Sequence, residues 1–178
     1  WQSKYESRWQ SVFEEINRWL TTKGIWKDYG IFRKVVVEGI YPMHPLSTYM
    51  LTQLSDYLQN RSSLTLVSEY ILEVSSVDLN NEIPCIMPEK LMAGDLYNEM
   101  LSAETEGRQA SQHCIRYDNI MRKYGDKLSE QSVVVLRSNL ILRILRFRTQ
   151  SYEEVKDALL LCCGLTMEEL EQELNWLE

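Results

Sequence analysis

Cysteine, histidine, glycine and proline are all scarce in this chain of 178 residues, and each shortage removes a class of function. The four cysteines, Cys85, Cys114, Cys162 and Cys163, show no CxxC spacing, and the adjacent pair is poorly placed to bridge to itself. Free thiols in a reducing, cytoplasmic setting are therefore expected. Two histidines with no clustered partners leave no metal-ligand set. Seven glycines and four prolines exclude low complexity and extensive disorder. There is no GxxxxGK[ST] phosphate loop, no GxGxxG, no HExxH and no GxSxG, so no catalytic residue is assigned and no autonomous enzyme is expected. Long apolar runs are missing too: the most hydrophobic stretch, SVVVLRSNLILRILRF, is broken by Arg137, Arg143 and Arg146, which marks a buried helix and not a membrane span. The chain opens on Trp1 with no basic leader or cleavage site and reads as a piece of a longer protein.

What is present is the composition of a helical protein. Hydrophobic residues make up 44% and charged residues 25%, enough for one good core or two small ones without staples. Few helix breakers among many Leu, Glu, Gln and Arg point to a mainly α fold. The net charge of −7 is uneven, because residues 151–178 hold eight acids against the single base Lys156 and so carry all of it. An acidic end of this kind repels nucleic acid phosphate.

Apolar spacing places a first helix over residues 4–22, through Trp9, Val12, Ile16 and Trp19, with Gly24 beyond its end. The following IWKDYGIFRKVVVEGIYP fits a short strand or a helix equally well. A second helix starts at Pro45, a residue suited to the first helical position, and runs to about Leu58. The turn QN then leaves Asn60 to cap a third helix. Residues 76–90 contain two prolines and no periodicity, and read as a linker between a helical subdomain over 1–75 and a helical extension over 91–178. In that extension Ala110, Cys114, Tyr117, Met121 and Tyr124 form a narrow apolar seam ended by Gly125, while Val133, Leu136, Leu140, Ile144 and Phe147 mark a more buried helix from Ser129. Two capping boxes follow, Ser151 with Glu154 and Thr166 with Glu169, with Gly164 in the turn between them. Helix, capped helix, turn, capped helix is the order of a winged-helix core; the hairpin wing is absent from the sequence given.

Four groups of residues are candidates for function. His113 and Cys114 are neighbours, but adjacent helix positions point about 100° apart, so a structural cysteine is the better reading. The last helix, TMEELEQELNWLE, is acidic and has no base, which suits protein contact better than base readout, with Glu168, Glu169 and Glu171 as a partner-binding face. Arg137, Arg143, Arg146 and Arg148 form a local basic patch, with Arg143, Arg146 and Arg148 as the phosphate contact unless they pair with the acidic tail. In YPMHPLSTYMLTQLSDYLQNRSSLTLV, His44 and Pro45 give a sharp entry to a helical hairpin, and Arg61 lies at its turn, where an arginine can meet an anion.

Those 27 residues, Tyr41–Val67, resemble a segment of the large bacterial P-loop ATPases of phage defence, the BREX-type ATPase and its relatives. The family pattern is roughly Y/F-P-h-H-P-L-T, a leucine-rich helix, then Q-N-x-R-S/T-L, directly after the nucleotide-binding core. Here QNRSSL lacks the residue between Asn60 and Arg61, and Leu66 and Val67 stand where phenylalanine is usual. The resemblance implies that residues 1–75 are the helical lid, that Arg61 senses nucleotide or a neighbouring subunit, and that His44, Pro45 and Asn60 shape the hairpin. It implies ATP and magnesium for the parent protein, an upstream ATPase core and other defence proteins as partners, and an oligomer in the parent. A helical adaptor with an acidic partner-binding face and a winged-helix DNA-binding module are the rival expectations.

Overall fold

The structure, a computed structural model, describes residues 2–20, 28–54, 68, 70–72 and 85–177, with side chains from Trp9 onward in the first helix. The described residues are mainly α-helical; their β-structure is a single parallel bridge between Met43 and Ile86. None of their helices is long and apolar enough to cross a membrane. The chain divides into two compact units, Trp1–Met87 and Pro88–Glu178.

In the first unit, α1 (Gln2–Trp19) buries Trp9, Val12, Ile16 and Trp19 along one face, as a 3.6-residue repeat requires. It ends at Trp19, three residues before the end set by apolar spacing. Asp28 opens α2 (Tyr29–Phe32): its Oδ1 accepts the Ile31 N–H at 2.9 Å. Phe32 is fully buried, with its ring 5.0 Å from that of Phe13 of α1.

The ambiguous valine run is helical, as a π-helical turn over Arg33–Val37 that continues α2. A strand would place Val35 and Val37 on one face, yet Val35 is 51% exposed while Val36 and Val37 are buried. Gly39 follows the turn, where a Cβ would stand 2.5 Å from the Val35 carbonyl oxygen, a distance no side chain tolerates. The chain then crosses a cis Tyr41–Pro42 bond and enters α3 (Pro45–Gln53).

The second unit begins earlier than the expected end of the linker. Pro88–Ala93 form a 3₁₀ segment with Pro88, Glu89, Leu91 and Met92 buried. Next come α4 (Asp95–Thr105), α5 (His113–Tyr124), a 3₁₀ turn at Gly125–Lys127, α6 (Glu130–Ile144), α7 (Tyr152–Cys163) and α8 (Met167–Leu177). The central element is α6, which packs against α5, α7, α8 and the 3₁₀ segment.

Of the five positions that spacing selects, Phe147 lies beyond the end of α6; Leu140 is buried and the other four are half-buried. The deepest stripe runs instead through Ser132, Val135, Ser138 and Ile141, so the face is turned from the expected one. Serine fits there because it is small and its hydroxyl is satisfied: Ser138 Oγ donates to the Val134 carbonyl at 2.8 Å, and Ser132 Oγ donates to Glu173 of α8.

The helix starts follow the sequence. Ser129 Oγ accepts the Ser132 N–H at 2.9 Å. Ser151 Oγ accepts the Glu154 N–H at 3.2 Å, while the Glu154 carboxylate reaches back to the Gln150 N–H at 2.6 Å, one residue earlier than an ideal capping box. Thr166 and Glu169 form the reciprocal box, with Thr166 Oγ1 accepting the Glu169 N–H at 3.3 Å and the Thr166 N–H donating to Glu169 at 2.8 Å. Between them Gly164 takes the left-handed conformation, φ 70°.

Candidate functional site

The YPMHPL segment is built as a buried, cross-linked turn. His44 has extended backbone, φ −63° and ψ 141°, as the following proline demands, and Pro45 takes the first helical position. The imidazole caps α3: its Nδ1 accepts the Leu46 N–H at 3.2 Å. Nδ1 therefore carries no proton, and the ring hydrogen sits on Nε2. The ring is 2% exposed, with its centroid 6.4 Å from that of Trp9.

The same turn is tied to a stretch some forty residues further on. The His44 N–H donates to the Ile86 carbonyl at 3.1 Å, Ser47 Oγ donates to that oxygen at 2.7 Å, and the Ile86 N–H returns to the Pro42 carbonyl at 2.8 Å. Arg61 and Asn60, the other half of the motif, lie outside the described residues, as do residues 76–84 of the expected linker.

The arginines expected as one basic patch separate. Arg143 lies on α6 and faces a groove of about 280 Å³ between α5 and α6, where Arg116 of α5 joins it. Neither guanidinium forms an ion pair among the described residues, and both are exposed. Apolar contacts come from Ile120, Leu136 and Leu140, and polar edges from His113 and Asn139. Arg146 and Arg148 lie beyond the end of α6, exposed and away from the groove lining. Arg137, in contrast, turns inward to Glu89, with 3.7 Å between Nη1 and Oε2.

Within the expected acidic face, two of the three carboxylates work inside the unit. Glu169 belongs to the capping box, where the backbone and hydroxyl hydrogens of Thr166 hold its carboxyl below the ordinary 4.5. Glu171 accepts from Lys156 Nζ at 3.0 Å, and Glu153 accepts from the same ammonium at 2.8 Å. Those hydrogen bonds raise the Lys156 pKa above its usual range. Glu168 remains exposed.

Two acids, Glu89 and Glu104, are buried, at 3% and 7% exposed. Glu104, near the end of α4, caps α5 from outside: Oε1 accepts from Ser111 Oγ at 2.7 Å and from the His113 N–H at 3.1 Å, and Oε2 accepts the Ile115 N–H at 3.1 Å. The residue before α5, Gln112, makes no side-chain cap bond, so the carboxylate supplies what the local sequence does not. A helix start without Ser, Thr, Asp or Asn was the available signal.

Three of the four thiols, Cys114, Cys162 and Cys163, are buried. Burial, with the Glu104 carboxylate nearby, pushes Cys114 up to about 12, and burial raises Cys162 and Cys163 as well. No group of His, Cys, Asp and Glu among the described residues could hold a metal ion. No family model, curated protein or solved structure matches the chain significantly.

Proposed function

We propose that this chain is a non-catalytic regulatory and assembly piece of a P-loop ATPase of the kind used in bacterial anti-phage defence. In this proposal Trp1–Met87 is a helical lid, and Pro88–Glu178 is a winged-helix-like extension that couples nucleotide state to a partner in the cytoplasm. The observation that carries the non-catalytic half is His44: its Nδ1 is occupied by the Leu46 N–H and the residue is buried, so the one histidine of the conspicuous motif serves as a helix cap and not as a base. The tie to an ATPase rests on the resemblance of Tyr41–Val67, in which HPL fits a structural turn and leaves Arg61 as the residue to sense a nucleotide.

The extension is supported by the succession of α6, the Ser151-capped α7, the left-handed Gly164 and the Thr166-capped α8. ATP and magnesium belong to the parent's core in this scheme. Substituting Arg61→Ala in the full-length protein tests it: ATP hydrolysis or subunit assembly falls while the substituted 178-residue chain still folds. Unchanged turnover together with unchanged oligomer size removes the sensor role.

A further inference from the structure

The α5–α6 groove has a composition that neither a lid nor a DNA-reading helix requires. Arg116 and Arg143 are exposed and form no ion pair among the described residues. Two cations with no ion-pair partner among the described residues, on an otherwise acidic chain of net charge −7, create a local positive field that an anionic partner can fill.

Between them the groove is apolar. Ile120 is 38% exposed and, with Leu136 and Leu140, offers a surface for an aliphatic or aromatic side chain. A volume of about 280 Å³ suits one or two side chains and not a folded domain.

We propose that this groove binds a short acidic peptide segment of a partner protein, placing one apolar side chain against Ile120 and Leu136 and its flanking carboxylates on Arg116 and Arg143. Guanidinium groups pair with carboxylates through two parallel hydrogen bonds, which fixes orientation as well as charge. Asn139 and His113 stand at the polar edge, where peptide N–H and carbonyl groups pass. A nucleic acid strand fits less well: its bases need an open aromatic face, whereas Tyr117 is 8% exposed, and its phosphates make no use of the exposed Ile120. The inference is independent of any ATPase, since it uses only the second unit's own side chains.

The test uses the 178-residue chain and fluorescein-labelled synthetic peptides in which Leu, Phe or Trp sits between pairs of glutamates, followed by fluorescence anisotropy at low ionic strength. Binding that weakens with salt, and falls at least about tenfold in both Arg116→Gln/Arg143→Gln and Ile120→Asp, is expected. Lysine-for-glutamate peptides should not bind. The proposal is overturned if no acidic peptide binds, if the two variants bind as the wild type does, or if a labelled single-stranded oligonucleotide binds through the same arginines and acidic peptides do not displace it. Concentration-dependent self-association abolished by the arginine substitutions would assign the groove to a second copy of this chain, and would overturn it equally.

Discussion

The backbone N–H of His44 donates to the Ile86 carbonyl oxygen at 3.1 Å, and through this bond a turn at the start of α3 is pinned to the end of the first unit. The imidazole of the same residue closes the first turn of α3. A histidine between two prolines invites a catalytic reading, and these two bonds instead fix backbone.

Replacing that imidazole separates the two roles. His44→Ala removes the cap and empties a buried site, and should cost about 1–2 kcal/mol of stability in denaturant unfolding. His44→Asn keeps a capping acceptor and should recover part of the loss. Equal stability of wild type and His44→Ala would mean that the cap contributes nothing.

Glu104 holds the start of α5 from a different helix. Glu104→Gln keeps one carbonyl acceptor but loses the charge and one acceptor oxygen, and should destabilise by about 1–2 kcal/mol; Glu104→Ala strands the His113 and Ile115 N–H groups and should cost more. Hydrogen exchange at those two amides is the direct readout, and should accelerate in both variants before any other part of α5 responds.

Acid weakens the second unit through Glu169. Its carboxyl is held below 4.5 in the folded state by the Thr166 backbone N–H, then by the Thr166 hydroxyl. A folded pKa below the unfolded one contributes stability that is present above pH 4.5 and disappears as pH falls through the folded value. Thermal melts below about pH 4.5 should therefore lose less stability in Glu169→Gln than in the wild type. Parallel acid-side losses in the two proteins would contradict this.

Arg146 ends α6 in the left-handed conformation, φ 56°, with the Phe147 N–H returning to the Leu142 carbonyl at 3.0 Å and the Arg146 N–H to Arg143 at 3.3 Å. That is a Schellman ending with an arginine where glycine is favoured. Arg146→Gly should raise stability by about 0.5–1 kcal/mol, seen as a higher melting temperature, because the Cβ strain disappears and the exposed side chain packs against little. A lower melting temperature would show that the guanidinium supports the fold.

Local chemistry was the legible part of the sequence. Ser129, Ser151 and Thr166 each cap the helix that follows, since a side-chain oxygen one position ahead of a periodic segment needs nothing distant to act. The phase of α6 was not legible, because Ser132 and Ser138 occupy its deepest stripe and become acceptable there only once Glu173 and the Val134 carbonyl take their hydroxyls. The Glu104 cap was hidden for the same reason: it spans nine residues to His113 and eleven to Ile115, and no spacing rule covers a carboxylate that serves another helix. The groove needed the packing of α5 on α6 to bring Arg116 beside Arg143, whereas the linear pattern grouped Arg143 with Arg146 and Arg148. The valine run stayed ambiguous until burial distinguished Val35 from Val36 and Val37.

The role given to the QNR turn can be read in one measurement, steady-state ATP hydrolysis by the full-length protein carrying Arg61→Ala, with oligomer size recorded on the same sample. A nucleotide-sensing or subunit-sensing arginine predicts a fall of about tenfold or more in turnover, or loss of the assembled form, with the folded state intact. Wild-type turnover in a wild-type assembly would contradict it.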